Sequence, residues 1–134
     1  MRDERGSASI WALLLTAGAF TLLLGLVVDG GHVIDARLEA SRVAAQAARL
    51  GADQLSAGSV RSGGDAVNAE AAATRVRQYL SAAGQRGTVA VNADRVTVTV
   101  TGTSPARILS VIGIDGFPIR ESRTAQGIIG EDNP

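Results

Sequence analysis

The feature that most constrains this chain is an uncharged, strongly apolar stretch near its amino terminus, Ala8 to Val28. As an α-helix these residues would extend for about 32 Å, because each residue adds about 1.5 Å along the helix axis. The hydrocarbon layer of a bilayer is about 30 Å thick, so the stretch is long enough to cross it once. The sequence therefore predicts a membrane-spanning helix over residues 8–28, preceded by a polar leader over residues 1–7.

A cleaved signal peptide is the alternative interpretation of this stretch. Arg2 and Arg5 would supply its positively charged start, and Ala17-Gly18-Ala19 matches the small-x-small pattern of a cleavage site. Cleavage there would leave an apolar segment, Phe20 to Val28, at the new terminus. The apolar region of a signal peptide normally ends at its cleavage site, so the pattern favours a retained anchor.

The composition argues against several classes of function. The formal net charge is zero, so we expect no basic surface for nucleic acid. All 13 basic residues are arginine, which excludes a phosphate-loop lysine and a Schiff base. Cysteine is absent and the single histidine, His32, lies beside the span, so zinc sites of the Cys/His kind and a positioned catalytic base are not expected. The sequence predicts no enzyme and no cofactor.

Beyond the span, small and apolar residues recur at helical spacing. The pattern predicts a helix that continues over residues 29–57, with one alanine-rich face: Val33, Ala36, Ala40, Val43, Ala47 and Leu50. Because this face is thinly apolar and alanine permits close approach, we expect it to pack against partner helices rather than on a large core of its own chain. Residues 58–64 (GSVRSGG) predict a linker.

Residues 65–127 have the pattern of a small head with one amphipathic helix, and residues 128–134 that of a frayed tail. Asp65 is a suitable N-cap, and Gly84 a suitable end, for a helix over residues 66–83. Tyr79 lies on the apolar face of this helix, where a core position is the expected role.

The rest of the head has the pattern of a small sheet. Residues 96–101 alternate valine and threonine, which predicts a strand with one buried and one wetter face. A hairpin partner is predicted over residues 88–91, with a turn at 92–95. A short helix is predicted to have Ser104 as N-cap and Pro105 as its first residue, and to end at Gly113. An edge strand is predicted over residues 117–125, because it contains Pro118. The predicted fold class is α+β.

Within the span, three small residues recur at four-residue steps: Ala17, Thr21 and Gly25. Such a ridge lets transmembrane helices approach closely, so these residues are candidates for helix packing in the membrane. The alternative is that small residues are common in any span of a chain so rich in alanine and glycine.

Just beyond the span, Asp29, His32 and Asp35 follow at three-residue steps, which makes them near neighbours on a continuous helix. One interpretation is a metal or pH-sensitive site. The favoured one is a polar cluster at the membrane boundary, because Gly30-Gly31 weakens the helix and no fourth ligand is evident. Asp29 alone is also suited to cap a following helix or to set the depth of the span.

These features resemble the TadE/TadG-like proteins of tight-adherence (Flp) pilus systems. The resemblance is most specific from Arg5 to Ala52. The segments that carry it are Arg5-Gly6-Ser7, the early span, Val28-Asp29-Gly30-Gly31-His32, the helix Leu38 to Leu55, the strand Val96 to Val100 and the ending Ser122 to Ala125. It implies a pilin-like structural or assembly protein in the inner membrane, with its head outside the cytoplasm and possible incorporation into a pilus. The implied partners are membrane lipid, other pilin-like subunits and inner-membrane pilus machinery, in a homo- or hetero-oligomer.

Processing of the leader is where the chain departs from processed pilins, which are cut after a glycine and carry an acidic fifth mature residue. A cut after Gly6 would make Trp11 the fifth residue, which favours an uncleaved assembly factor over a filament subunit. A membrane-tethered extracytoplasmic module that binds a ligand or protein is the alternative from another class.

Overall fold

The computed structural model describes residues 4–60 and 65–128. Two α-helices precede a three-stranded sheet, and a short 3₁₀ helix lies between its last two strands. In chain order the elements are α1 (Glu4–Val60), α2 (Asp65–Ala82), β1 (Arg86–Asn92), β2 (Arg95–Pro105), the 3₁₀ helix (Leu109–Ile112) and β3 (Gly116–Gln126). The architecture is α+β, which confirms the predicted fold class.

Helix α1 is continuous through the boundaries that the sequence suggested. It passes through Gly30-Gly31, although each glycine costs about 1 kcal/mol relative to alanine in a helix. It also includes Gly58 to Val60, the first part of the predicted linker. The remaining linker residues, 61–64, lie outside the described residues, as do residues 1–3 of the leader and 129–134 of the tail.

Contacts group the chain into two compact units. The stem unit combines Met1–Ile34 with Ser104–Phe117, and the sheet unit combines Asp35–Thr103 with Pro118–Pro134. The segment that joins β2 to β3 is therefore grouped with the first half of α1. The sequence pattern predicts that this segment belongs to one head over residues 65–127.

The sheet has the strand order β1-β2-β3, and β1 pairs with β2 in an antiparallel register that runs from Arg86↔Thr101 to Asn92↔Arg95. On β2 the valines at 96, 98 and 100 are buried, whereas the threonines at 97 and 99 are only partly covered. The predicted two-faced strand is thus confirmed. The strand order also places β3, with Pro118, at an edge, as predicted.

The core of the sheet unit lies between α1, α2 and β2. Alanines of α1, among them Ala44 and Ala47, are fully covered, and Val76 of α2 and Val98 of β2 lie in the same cluster. A Cβ atom on Gly51 would lie only 2.8 Å from a methyl of Val96, which shows how closely the sheet approaches. The expectation that the alanine-rich face is left for partner helices was therefore wrong, because small side chains let the chain's own sheet and second helix cover it.

The ends of the head elements agree in part with the predictions. Gly84 follows α2 with φ +65° and Gly113 ends the 3₁₀ helix with φ +89°, so both predicted stops are confirmed. The side chain of Asp65 lies outside the described residues, although α2 begins at this residue. The prediction for Ser104-Pro105 was wrong: Pro105 ends β2, and the helix begins four residues later, at Leu109.

Candidate functional site: the apolar span and the carboxylate at its end

The span exposes large aliphatic side chains along its length. Leu13 and Leu15 are 70% and 72% exposed, and Trp11 and Phe20 are also largely uncovered. The most apolar window of this helix has a mean hydropathy of 2.2 and is only 6% buried in the protein, unlike the core helix of a soluble domain. By length and composition, α1 can cross a membrane, and lipid is the solvent that suits such a surface.

The three residues of the predicted ridge do not share the same surroundings. Ala17 and Thr21 are exposed, and the Thr21 hydroxyl donates a hydrogen bond to the Ala17 carbonyl over 2.9 Å. Gly25 is buried within the stem unit, where a Cβ atom would lie 2.9 Å from Cδ2 of Leu109 and 3.0 Å from Cγ2 of Ile108. The close approach that Gly25 permits is therefore to a segment of its own chain.

Asp29 lies one helical turn beyond Gly25, and its side chain is 1% exposed. Its Oδ1 accepts the backbone N–H of Arg107 at 3.0 Å, and its Oδ2 accepts those of Ile108 at 3.1 Å and Leu109 at 2.8 Å. These N–H groups precede and begin the 3₁₀ helix, where they lack partners within the helix. Ile108, the residue at the N-cap position, makes no capping bond with its own side chain. A carboxylate from α1 thus supplies the cap.

These bonds also control the ionisation of Asp29. The N–H of Leu109 has the largest effect and lowers the pKa of the carboxyl group, while burial raises it. The N–H groups of Arg107 and Ile108 and the nearby His32 lower the pKa further. The net pKa lies below its usual value, so Asp29 is a carboxylate at neutral pH and its charge is held by backbone dipoles.

The other two members of the predicted polar cluster have different surroundings. His32 is half-buried and Asp35 is exposed. Over residues 4–60 and 65–128, no three His, Asp or Glu side chains come together in a way that could hold a metal ion. Asp29 lies inside α1, so it does not cap the helix that was predicted to start directly after it. Its carboxylate caps the 3₁₀ helix, which lies about 80 residues further along the chain. The sequence pattern did not indicate Arg107, Ile108 or Leu109 as its partners.

The sheet unit contains a groove that bears on the alternative function of ligand binding. Its volume is about 230 Å³, and its lining includes Ala36, Glu39, Val100, Thr103 and Ile119. Small-molecule sites usually have volumes of about 300–1,000 Å³ and several convergent polar groups. This groove is smaller, and Glu39 is the one carboxylate in its lining. Its geometry gives little support to a binding module for small ligands.

The fold and the site define the class of this protein: it is an α+β protein whose N-terminal helix is able to span a membrane. Residues 6–54 match the family model Tad, which describes Flp pilus-assembly TadE/G-like proteins. This match confirms the resemblance that the sequence showed from Arg5 to Ala52. It covers the span and residues 29–54 of the alanine-rich part of α1, including Asp29. No curated protein and no solved structure gave a match.

Proposed function

We propose that this chain is a membrane-anchored structural or assembly component of a bacterial Flp pilus or a related secretion apparatus. The observation that carries the proposal is that the Tad match falls on α1, the helix that bears the exposed apolar span. The partners are membrane lipid, other pilin-like subunits and the inner-membrane pilus machinery. The role is one of packing and assembly, without a chemical step.

The orientation that we propose places the amino terminus in the cytoplasm and the sheet unit outside it. Arg2 and Arg5 closely precede the span, whereas the first basic residue after Val28 is Arg37. Basic residues that flank a span favour the cytoplasmic side, so the distribution supports this orientation. The sheet unit would then present its surface to other extracytoplasmic components.

Lateral packing in the membrane is the step that we assign to the exposed part of the small-residue ridge, Ala17 and Thr21. The alanine-rich part of α1 is covered by α2 and the sheet, so it leaves little surface for a sister helix. Gly25 is covered by Leu109 and Ile108. A sister helix could approach closely at Ala17, where the side chain is small and uncovered.

The packing role can be tested with a matched pair of variants, Ala17→Leu and Ala19→Leu, in the producing bacterium after deletion of the native copy. Both alanines are exposed in the span, but residues two apart point to nearly opposite sides of a helix. Both variants keep the span apolar. We expect Ala17→Leu to reduce the amount of surface pili and Ala19→Leu to leave it near the wild-type level. A charge at Gly25 is a poorer probe, because it would first displace Leu109 of the same chain.

Each result bears on a different part of the proposal. Normal piliation by Ala17→Leu, with wild-type amounts of the protein in the membrane, would contradict the packing face. Normal piliation by the deletion strain without any copy of the chain would contradict the assembly role itself. The amount of pili in each strain is measured by electron microscopy of the material sheared from the cell surface.

A further inference from the structure

We propose that the segment between β2 and β3 is a second membrane contact, which inserts an apolar tip formed by Val111, Ile112 and Ile114 among the lipid acyl chains where the span ends. This contact would be with lipid and not with a protein partner. It goes beyond the assembly role proposed above, but it rests on the span being in a bilayer.

The depth of this segment follows from its contact with α1 inside the stem unit. Leu109 and Ile108 pack directly on Gly25. Gly25 precedes Val28, the last residue of the predicted span, by three residues, which is about 4.5 Å along a helix axis. With the span in a bilayer, the side chains of Leu109 and Ile108 therefore lie below the level at which the span ends.

The residues that follow Leu109 expose aliphatic side chains. Val111 is 87%, Ile112 56% and Ile114 38% exposed, although all three belong to a short segment that is packed on the span. The span itself has the same property, with large aliphatic residues uncovered by protein. For an apolar tip in a segment that packs on a membrane helix, acyl chains are the apolar surroundings that we infer.

The backbone of this segment is also suited to a site with little water, where each unbonded N–H group is costly. Asp29 accepts three N–H groups, as described above. Four further N–H groups bond to carbonyl oxygens of the same segment: Ala106 to Asp115, Val111 to Ile108, Gly113 to Ser110 and Ile114 to Leu109. Seven backbone N–H groups of the segment therefore have partners, while the side chains of Val111, Ile112 and Ile114 are exposed.

The test uses single-cysteine variants of the chain over residues 1–134, which contains no cysteine. Val111→Cys is labelled with the environment-sensitive fluorophore NBD and reconstituted into phosphatidylcholine vesicles, with and without nitroxide-labelled acyl chains. Leu23→Cys, exposed in the span, is the lipid control, and Ala90→Cys, exposed on β1, is the control for the sheet. Because Val111 is almost fully exposed, its substitution leaves the core intact, and Ile112→Cys provides a second probe.

We expect blue-shifted emission and strong loss of fluorescence on nitroxide lipid at Val111 and Ile112, as at Leu23, and neither effect at Ala90. Probes at Val111 and Ile112 that behave like Ala90, while Leu23 is quenched, would overturn the second contact and leave the anchor intact. Emission that is blue-shifted but not quenched by nitroxide lipid would mean that protein, such as a second copy of this chain, covers the tip, and would also overturn the proposal. An unquenched Leu23 probe would overturn the anchor and this contact together.

Discussion

Residues 8–28 and residues 40–55 lie on the same helix, α1, yet their side chains have opposite surroundings. In the first region Leu15 is 72% exposed, and other large aliphatic residues are similarly uncovered. In the second region Ala44 and Ala47 have no exposed surface at all. The more hydrophobic region is therefore the one that the protein leaves uncovered.

Side-chain size explains this difference better than hydropathy does. Alanine and glycine in residues 40–55 allow α2 and the sheet to approach the helix backbone. The volume of the core is supplied mainly by valines, Leu80 and Ile119 from those elements. The bulky leucines of the span would hold a neighbouring sheet away, but they suit lipid chains, which adapt to any shape. The contrast teaches that one helix can face lipid in one part and a protein core in another when residue size, and not only polarity, changes along it.

The largest expected effect is a difference between two leucine truncations. Leu55→Ala removes a side chain that is 7% exposed in the core, and should lower the free energy of unfolding by about 3 kcal/mol. Leu15→Ala, in the span, should change it by less than about 0.5 kcal/mol, because no core contact is lost. Denaturant unfolding of the full chain in detergent micelles, followed by far-UV circular dichroism, measures both. Equal losses would contradict the comparison.

A pair of glycine substitutions tests close approach. Gly51→Leu should destabilise the protein by about 2 kcal/mol, because the new side chain would collide with Val96 and Val76. Gly18→Leu in the span meets nothing within 4 Å, so it should leave stability unchanged or raise it by up to about 1 kcal/mol through helix propensity. The same unfolding experiment applies. Tolerance of leucine at position 51 would show that the sheet does not approach the helix as closely as described.

Asp29 lies between the two regions, and its substitution should have a local effect. In Asp29→Asn the charge is lost and one of the two acceptor oxygens becomes a donor, so the N–H groups of Arg107, Ile108 and Leu109 should exchange with deuterium about tenfold faster. Asp35→Asn, at an exposed position, is the matched control and should change nothing in this segment. Hydrogen exchange measured by NMR in micelles is the readout, and unchanged protection in Asp29→Asn would argue against the cap.

The same cap should depend on pH in a direction set by the lowered pKa of Asp29. A carboxyl group whose pKa is lower in the folded state stabilises that state at pH values above its unfolded pKa, and this contribution disappears as the pH falls through the folded pKa. Protection of residues 107–109, corrected for intrinsic exchange, should therefore be constant near neutral pH and fall only in acid. Asn at position 29 should remove this dependence; protection lost already near neutral pH would contradict the assignment.

The smallest expected effect concerns the outer face of the sheet. The Thr99 hydroxyl donates to the Ser122 hydroxyl over 3.1 Å at an exposed position. Thr99→Ala should cost only about 0.5 kcal/mol, because cross-strand pairs of this kind are weak and solvent competes for the bond. Ser122→Ala should cost a similar amount, and the double variant little more than either alone. A loss as large as that in Leu55→Ala would mean that this face is covered.

Much of the fold could be predicted because its signals are local. The length and composition of residues 8–28, the alternation of valine and threonine on β2 and the glycines at 84 and 113 each specify a backbone conformation within a few residues. Ser104-Pro105 shows where this approach fails. The two residues match the local pattern of a helix start, but the actual 3₁₀ helix is capped by a carboxylate about 80 residues away in the chain.

The sequence by itself determined the elements: a helix with an apolar span, an amphipathic helix and strands with one apolar face, because periodicity and composition act over short distances. Only the tertiary structure decided what covers each face. It placed the sheet and α2 on the alanines of α1, Leu109 on Gly25 and three backbone N–H groups on Asp29. Such contacts depend on which distant segments fit together in shape and hydrogen bonding, and no local pattern records that fit.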